Sequence, residues 1–234
     1  MGLKRSLRNV SVGIGPIPDS VAEHMDIYYP MDEGSGTSVS DAIGNFDGTL
    51  DGAGWDTDPD SPTTDDEITI YDKDEEHYGH SDDTISFIGG SDVSAAIVLK
   101  IDDTNGVASI LADTPSTGSS TRDGWALVER DEDRLQIRSG EEASNELDHP
   151  GRSNYFMFAF SADQTDLTGY MYDESGFQDE LTITDDRSTS TNHFLNWMGG
   201  ADNGFVAGSV AVLMAADGTT SRSAFDEIHA DLFN

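Results

Sequence analysis

The apolar residues of this chain come in short runs separated by polar turns, and this spacing limits the possible folds more than any other feature. Ser94–Ile101 carries AAIVLKI, and Ser209–Ala215 reads SVAVLMA before the turn Ala216-Asp217-Gly218. In Tyr155–Ala162, Phe156, Phe158 and Phe160 recur at period two, which puts all three rings on one face of a strand. Trp125–Val128 and Leu135–Arg138 flank the turn Asp131-Glu132-Asp133. Gly169–Tyr172 and Gln178–Ile183 flank Asp173-Glu174-Ser175-Gly176. Both pairs read as hairpins. Polar loops at 114–124, 139–154 and 185–192 join the pieces. The last stretch is open to two readings: Phe225, Ile228 and Leu232 suit a helix face, and their spacing also permits a strand. Many short strands with regular turns indicate an all-β antiparallel sandwich or jelly roll. A length of 234 residues suffices for one such core.

Charge sets the second limit. Lys and Arg number 12 against 46 Asp and Glu, a formal net charge of −34. The acids are spread along the chain with no acidic tail, while Lys occurs only at Lys4, Lys73 and Lys100. A surface this anionic repels itself in dilute buffer. Ten Phe, seven Tyr and three Trp set the chain apart from a disordered acidic polymer. The composition therefore points to a folded protein adapted to concentrated salt. A polyanion is a poor direct partner for nucleic acid. Cysteine is absent, which excludes disulfides and thiolate metal sites. No apolar run reaches the ~20 residues that span a membrane. The basic start MGLKRSLRNVSVGIGPIP has no apolar core and is not a secretory signal.

Tyr28–Asp58 reads YYPMDEGSGTSVSDAIGNFDGTLDGAGWDTD. This segment resembles the opening of laminin-G-like, concanavalin A-like jelly-roll domains. The matches are Asp32-Glu33-Gly34-Ser35-Gly36-Thr37, then Asp41, Gly44 and Asn45, then Asp47-Gly48-Thr49-Leu50, Gly52, Ala53 and Trp55. Ala224–Phe233, AFDEIHADLF, looks like the closing strand of the same family. The resemblance covers residues 26–233, with its strong motifs at the two ends. It implies a jelly roll over residues 26–234 in which Leu50 and Trp55 pack one end. The glycines suit tight turns, and Asp32, Asp41 and Asp47 suit bonds to nearby backbone N–H groups. Such a motif indicates a fold and not a chemistry.

Residues 1–25 precede that domain and read as an extended docking arm, because Gly13, Gly15, Pro16 and Pro18 oppose a long helix. Lys4, Arg5 and Arg8 would meet acidic partners, and Leu3, Leu7, Val10, Val12 and Ile14 would supply the apolar contact.

Candidate sites are few. Asp56, Asp58, Asp60 and Glu67 have the 1, 3, 5, 12 spacing of a calcium loop, although Ser61 stands where the turn glycine belongs. Calcium at the rim of related domains adds to that reading. About one residue in five is acidic, so the same spacing also arises by chance. His77 and His80, beside acids, form a weaker metal candidate. The run Asp66–Asp72 lacks the same-face carboxylate spacing of glycosidases on this fold, and no nucleophile elbow or zinc-protease motif occurs. No catalytic residue is assigned. Trp55, Trp125, Trp197, Tyr155 and Tyr172 are conceivable sugar platforms, but their apolar contexts favour core packing. No glycan-contacting residue is named from sequence.

The functional expectation is a non-enzymatic virion protein from a salt-adapted, haloarchaeal-virus-like source: a capsid turret or decoration, or a tail fibre or spike. Its lectin-like domain would face host glycans. It would form a homo-oligomer and contact other virion proteins through residues 1–25, with no required cofactor and no membrane insertion. The alternatives are a secreted cellular carbohydrate-binding protein, and a glycoside hydrolase or lyase on the same fold.

The charge generates one expectation independent of fold. The melting temperature should rise steeply from ~0.1 M to ~1 M KCl as the Debye length falls to ~3 Å. Calorimetric melts that coincide at ~0.1 M and ~3 M would refute the adaptation to salt.

Overall fold

The computed structural model describes residues 17–62, 66–104, 106–115, 124–130, 134–140, 142–143, 146–152, 154–187, 193–200 and 204–233. Within these the chain is a sandwich of two antiparallel sheets. The first sheet runs, in spatial order, Gly176–Thr184, Asp166–Asp173, Phe156–Ala162, Val93–Thr104, Gly204–Asp217, Glu67–Tyr71 and Gly54–Thr57. Ile27–Tyr29 also pairs with the far half of Gly204–Asp217. The second sheet runs Glu142–Ala143, Arg134–Ser139, Trp125–Arg130, Ala108–Thr114, Phe194–Trp197, Tyr78–Ser81, Gly48–Asp51 and Ser38–Val39. Leu147–Asp148 pairs with Arg134–Ser139 inside the stretch expected to be a plain polar loop.

Both expected hairpins are present, Trp125–Arg130 with Arg134–Ser139 and Asp166–Asp173 with Gly176–Thr184. The turn at residues 131–133 lies outside the described residues. The period-two reading of Phe156, Phe158 and Phe160 holds, and all three rings lie buried between the sheets. They face Ile97, Leu99, Ile137, Leu167 and Trp125 in one core, where Trp125 and Phe160 have ring centroids 4.2 Å apart.

The alternate residues of the central strands are also apolar. Ala96, Val98, Met157, Ala159, Val212 and Met214 face away from the partner sheet and are buried in a second cluster. Two helices cover them, α1 at Asp19–His24 and α2 at Arg222–Leu232. Val21 and Met25 from the first segment, and Phe225, Ile228 and Leu232 from the second, fill this layer.

These helices correct two expectations. The closing segment Ala224–Phe233 is not a strand. Ser221 caps it, its side chain accepting the Ala224 N–H at 3.3 Å, and the spacing of Phe225, Ile228 and Leu232 turns three apolar side chains onto the sheet. Secondly, residues 17–25 are not a free extended arm. Proline at position 18 stands at the N-cap of α1, where a missing N–H costs nothing. Val21 and Met25 then belong to the folded unit. The docking residues Leu3, Lys4, Arg5, Leu7, Arg8, Val10, Val12 and Ile14 lie outside the described residues.

Helix α2 is fixed to the sheet by His229. Its ring stacks on Tyr172 and Phe233, with centroids 5.3 and 4.4 Å away. Its Nε2–H donates to the Asp173 carbonyl at 2.7 Å. Burial holds the imidazole below its ordinary pKa, outweighing the pull of that bond and of Asp226. The folded state therefore binds fewer protons than the unfolded chain, whose histidines titrate near ~6.5. The stability contributed by His229 is present above ~6.5 and is lost as pH falls through that value towards the depressed folded pKa. In denaturant titrations from pH ~7.5 to ~5.5, the wild type should lose stability more steeply than His229→Gln, which cannot titrate. Parallel profiles would show that another group carries the acid limb.

Candidate functional site

The segment that carries the family resemblance is held by one carboxylate. Asp41 Oδ1 accepts the N–H groups of Tyr28 at 3.0 Å and Ile43 at 3.1 Å, and its Oδ2 accepts that of Phe46 at 3.2 Å. Asp47 in turn accepts the Asp41 N–H at 3.0 Å. The Tyr29 hydroxyl donates to the Phe46 carbonyl. Gly44 is required by close approach: a Cβ there would sit 2.3 Å from Asp41 Oδ2 and 2.9 Å from the Asp26 carbonyl oxygen. The turn is thus wound around Asp41, and no larger residue fits beneath it.

This turn forms one wall of an open groove of about 470 Å³ at an end of the sandwich. Ile43, Asn45 and Phe46 come from the turn, and Phe87 comes from the loop after Tyr78–Ser81. Phe46 and Phe87 meet edge to face, with centroids 6.1 Å apart. Asp26 and Asp217 complete the lining from the ends of two paired strands. Asp26 Oδ2 accepts the Asp217 N–H at 3.0 Å. The groove thus offers two half-buried rings, an exposed amide at Asn45 and two carboxylates. Rings beside hydrogen-bonding groups suit a ligand with one apolar face and a polar rim.

None of these groove residues was singled out for ligand contact from sequence. The only signal was the Asp41–Asn45 motif, which reads as a turn and gives no hint that Phe87 comes to meet it.

The four expected calcium ligands are not brought together. Asp56 pairs with Ile68 and Thr57 with Glu67 across two antiparallel strands, so Asp56 and Glu67 project from opposite faces. Asp58 turns to Lys100 and also accepts from the Tyr155 hydroxyl at 3.2 Å. Burial alone would raise the Asp58 carboxyl, but bonds from Lys100 and the Asp60 N–H hold it below its usual range. Among the described residues no three His, Asp or Glu side chains converge on a metal position. His77 lies over Gly52 and pairs with Glu75 at 3.3 Å, while His80 Nδ1 meets the Ser81 carbonyl. Trp125, Trp197, Tyr155 and Tyr172 are buried as core residues, and Trp55 is half-buried.

A second polar cluster is interior. Asp113 accepts the His193 Nδ1–H at 2.8 Å and also the Trp125 N–H, and its carboxyl is driven above the usual range by burial, against the pull of His193. Arg187 beside it donates to Asp185 at 2.9 Å and to the Ser91 carbonyl at 2.6 Å. These bonds tie loops to the sheet, and the backbone packs closely on Asp113: a Cβ on Gly124 would lie 1.9 Å from Asp113 Oδ1.

Replacing the turn's central carboxylate tests whether it builds the groove. Asp41→Ala leaves three backbone N–H groups without their acceptor, at ~1–3 kcal/mol for each one that stays dry. A loss of ~2–4 kcal/mol, with fast amide exchange at Ile43 and Phe46, is the expected result. A loss under ~0.5 kcal/mol would mean that the turn is held by other contacts.

No family model matches the chain, and no curated protein does. Solved structures do. Domain 4 of AbnA, a GH43 extracellular arabinanase from Geobacillus stearothermophilus, in complex with arabinotriose, aligns at a TM-score of 0.65 and 14% identity. The alignment covers 90% of this chain and 98% of that one. The binding domain of botulinum neurotoxin DC in complex with SialylT aligns at 0.62 and 8% identity, over 90% of this chain and 52% of that one. A Trypanosoma rangeli sialidase in complex with sialic acid aligns at 0.63 and 12% identity, over 95% of this chain but only 35% of its own length. At these identities the likeness shows the fold alone, a two-sheet antiparallel β-sandwich.

Proposed function

We propose that the chain is a non-enzymatic glycan-recognition module. The observation that carries this reading is the groove, in which Phe46 and Phe87 lie between the amide of Asn45 and the carboxylates of Asp26 and Asp217. A sugar has an apolar ring face and a rim of hydroxyls, and this lining complements both. The fold supports the reading, since similar domains were solved with arabinotriose and with SialylT. Glycoside hydrolysis needs two carboxyl groups flanking the bond, about 5–10 Å apart. Here Asp26 is tied to the backbone of Asp217, which puts both acids on one wall. That arrangement favours binding over cleavage.

In this reading the module works on an outer surface in concentrated salt, as the −34 charge suggests. A virion of a salt-adapted host is a setting that combines a lectin-like domain with so acidic a surface. Residues 1–16 would dock it, alone or as a homo-oligomer, and the groove would face the host.

The test is a glycan array probed with the full chain in ~3 M and ~0.5 M KCl, followed by titration of the best ligand. Phe46→Ala and Phe87→Ala should each weaken binding at least about tenfold, equivalent to ~1.4 kcal/mol. Asn45→Ala, at an exposed position, should weaken binding while leaving the melting temperature unchanged. An array with no bound sugar, or variants that bind like wild type, would overturn the proposal.

A further inference from the structure

We propose that the groove selects uncharged sugars and rejects anionic ones, with Asp26 and Asp217 as the selecting residues. This inference rests on the glycan-binding reading above and specifies its ligand class. Among the described residues, the groove lining contains no Lys, Arg or His. Its described charged side chains are the carboxylates of Asp26 and Asp217, beside the amide of Asn45. A carboxylate only accepts hydrogen bonds, and sugar hydroxyls donate to it as charge-assisted bonds. The carboxylate of a sialic or uronic acid, or a sulfate ester, brings a second acceptor-only anion to the same wall. Among the described lining side chains, Asn45 alone could donate to it.

Charge behind the groove has the same sign. Asp41 and Asp47 hold the turn, and Asp82 follows the strand Tyr78–Ser81. Tyr29, whose hydroxyl donates to the Phe46 carbonyl, records their field: its phenol is raised first by burial and then by Asp41, Asp47 and Asp82.

The two sets of acids respond differently to salt. At ~1 M ionic strength the Debye length is ~3 Å, so the exposed Asp47 and Asp82 are screened from a bound ligand. Asp26 and Asp217 touch the ligand directly, and no ion layer fits between. Discrimination therefore has a salt-sensitive part from the surrounding acids and a salt-resistant part from the two lining carboxylates.

The experiment uses the full chain and an array of neutral and anionic probes: lactose, maltotriose and arabinotriose against 3′-sialyllactose, sulfated lactose and trigalacturonic acid. Wild-type protein is compared with the Asp26→Asn, Asp217→Asn double variant at ~0.5 M and ~3 M KCl. Asparagine at position 26 can still accept the Asp217 N–H, so the fold is kept. In wild type, neutral probes should bind at least about tenfold more tightly than their anionic counterparts, and a gap should persist at ~3 M. In the double variant the gap should shrink to about twofold at the higher salt. Equal or tighter binding of the anionic probes overturns the selection and leaves glycan binding standing. So does a gap that the double variant keeps. Failure of every probe to bind overturns both.

Discussion

Everything in this structure depends on the pairing of Val93–Thr104 with Gly204–Asp217 at the centre of the first sheet. The two strands stay in register from Val93 with Asp217 to Thr104 with Val206, adjusted by irregularities near Ala207 and Val210. Both are apolar on both faces. Ile97, Leu99 and Leu213 point into the sandwich, and Ala96, Val98, Val212 and Met214 point out of it. A sheet buried on one side only would leave the second set as an apolar surface patch. Closing the sandwich therefore cannot satisfy this sheet, and a third layer is needed. Helices α1 and α2 provide it, which is why segments near opposite ends of the sequence meet on one face.

That constraint explains what could be read from sequence and what could not. The period-two Phe156, Phe158 and Phe160 fixed a strand facing the core, and the acidic turns between short runs marked the hairpins. The run AAIVLKI is apolar on both faces, a pattern that signals a strand without saying what covers its second side. The cover was hidden in segments with weak signals of their own. Asp19–His24 is six residues long and follows Pro18, so its local sequence reads as a break in structure. Phe225, Ile228 and Leu232 fit helix and strand alike until the exposed face of the sheet demands a helix. The calcium spacing failed for a related reason. A linear count assumes one continuous loop, whereas Asp56 and Glu67 sit on two paired strands, where a shift of one residue exchanges faces.

The groove was less legible than the fold because its residues are separated along the chain and share no pattern. Asp26, Phe46, Phe87 and Asp217 come from four segments and are assembled only when strand ends align. Asn45 and Phe46 belong to the stretch that marks the fold. Asp41 leaves that stretch little freedom, since the backbone of Tyr28, Ile43 and Phe46 all bond to it. The position of the Phe46 ring is thereby inherited from the architecture, whereas Asn45, Phe87 and the acids around them are not held by that carboxylate.

The meeting of α1 and α2 also governs how the domain can be joined to anything else. The Ser20 N–H lies 3.3 Å from the Asp231 carboxylate, and Ile17 and Phe233 pack on the same apolar layer. The two ends of the described fold thus leave from neighbouring points. A domain with paired ends behaves like a plug on a single stem: it can be set into a loop of a larger protein, or repeated along one, without its strands being pulled apart. Tension applied through such a stem would load the helix layer first and reach the central strands only after that layer had peeled away.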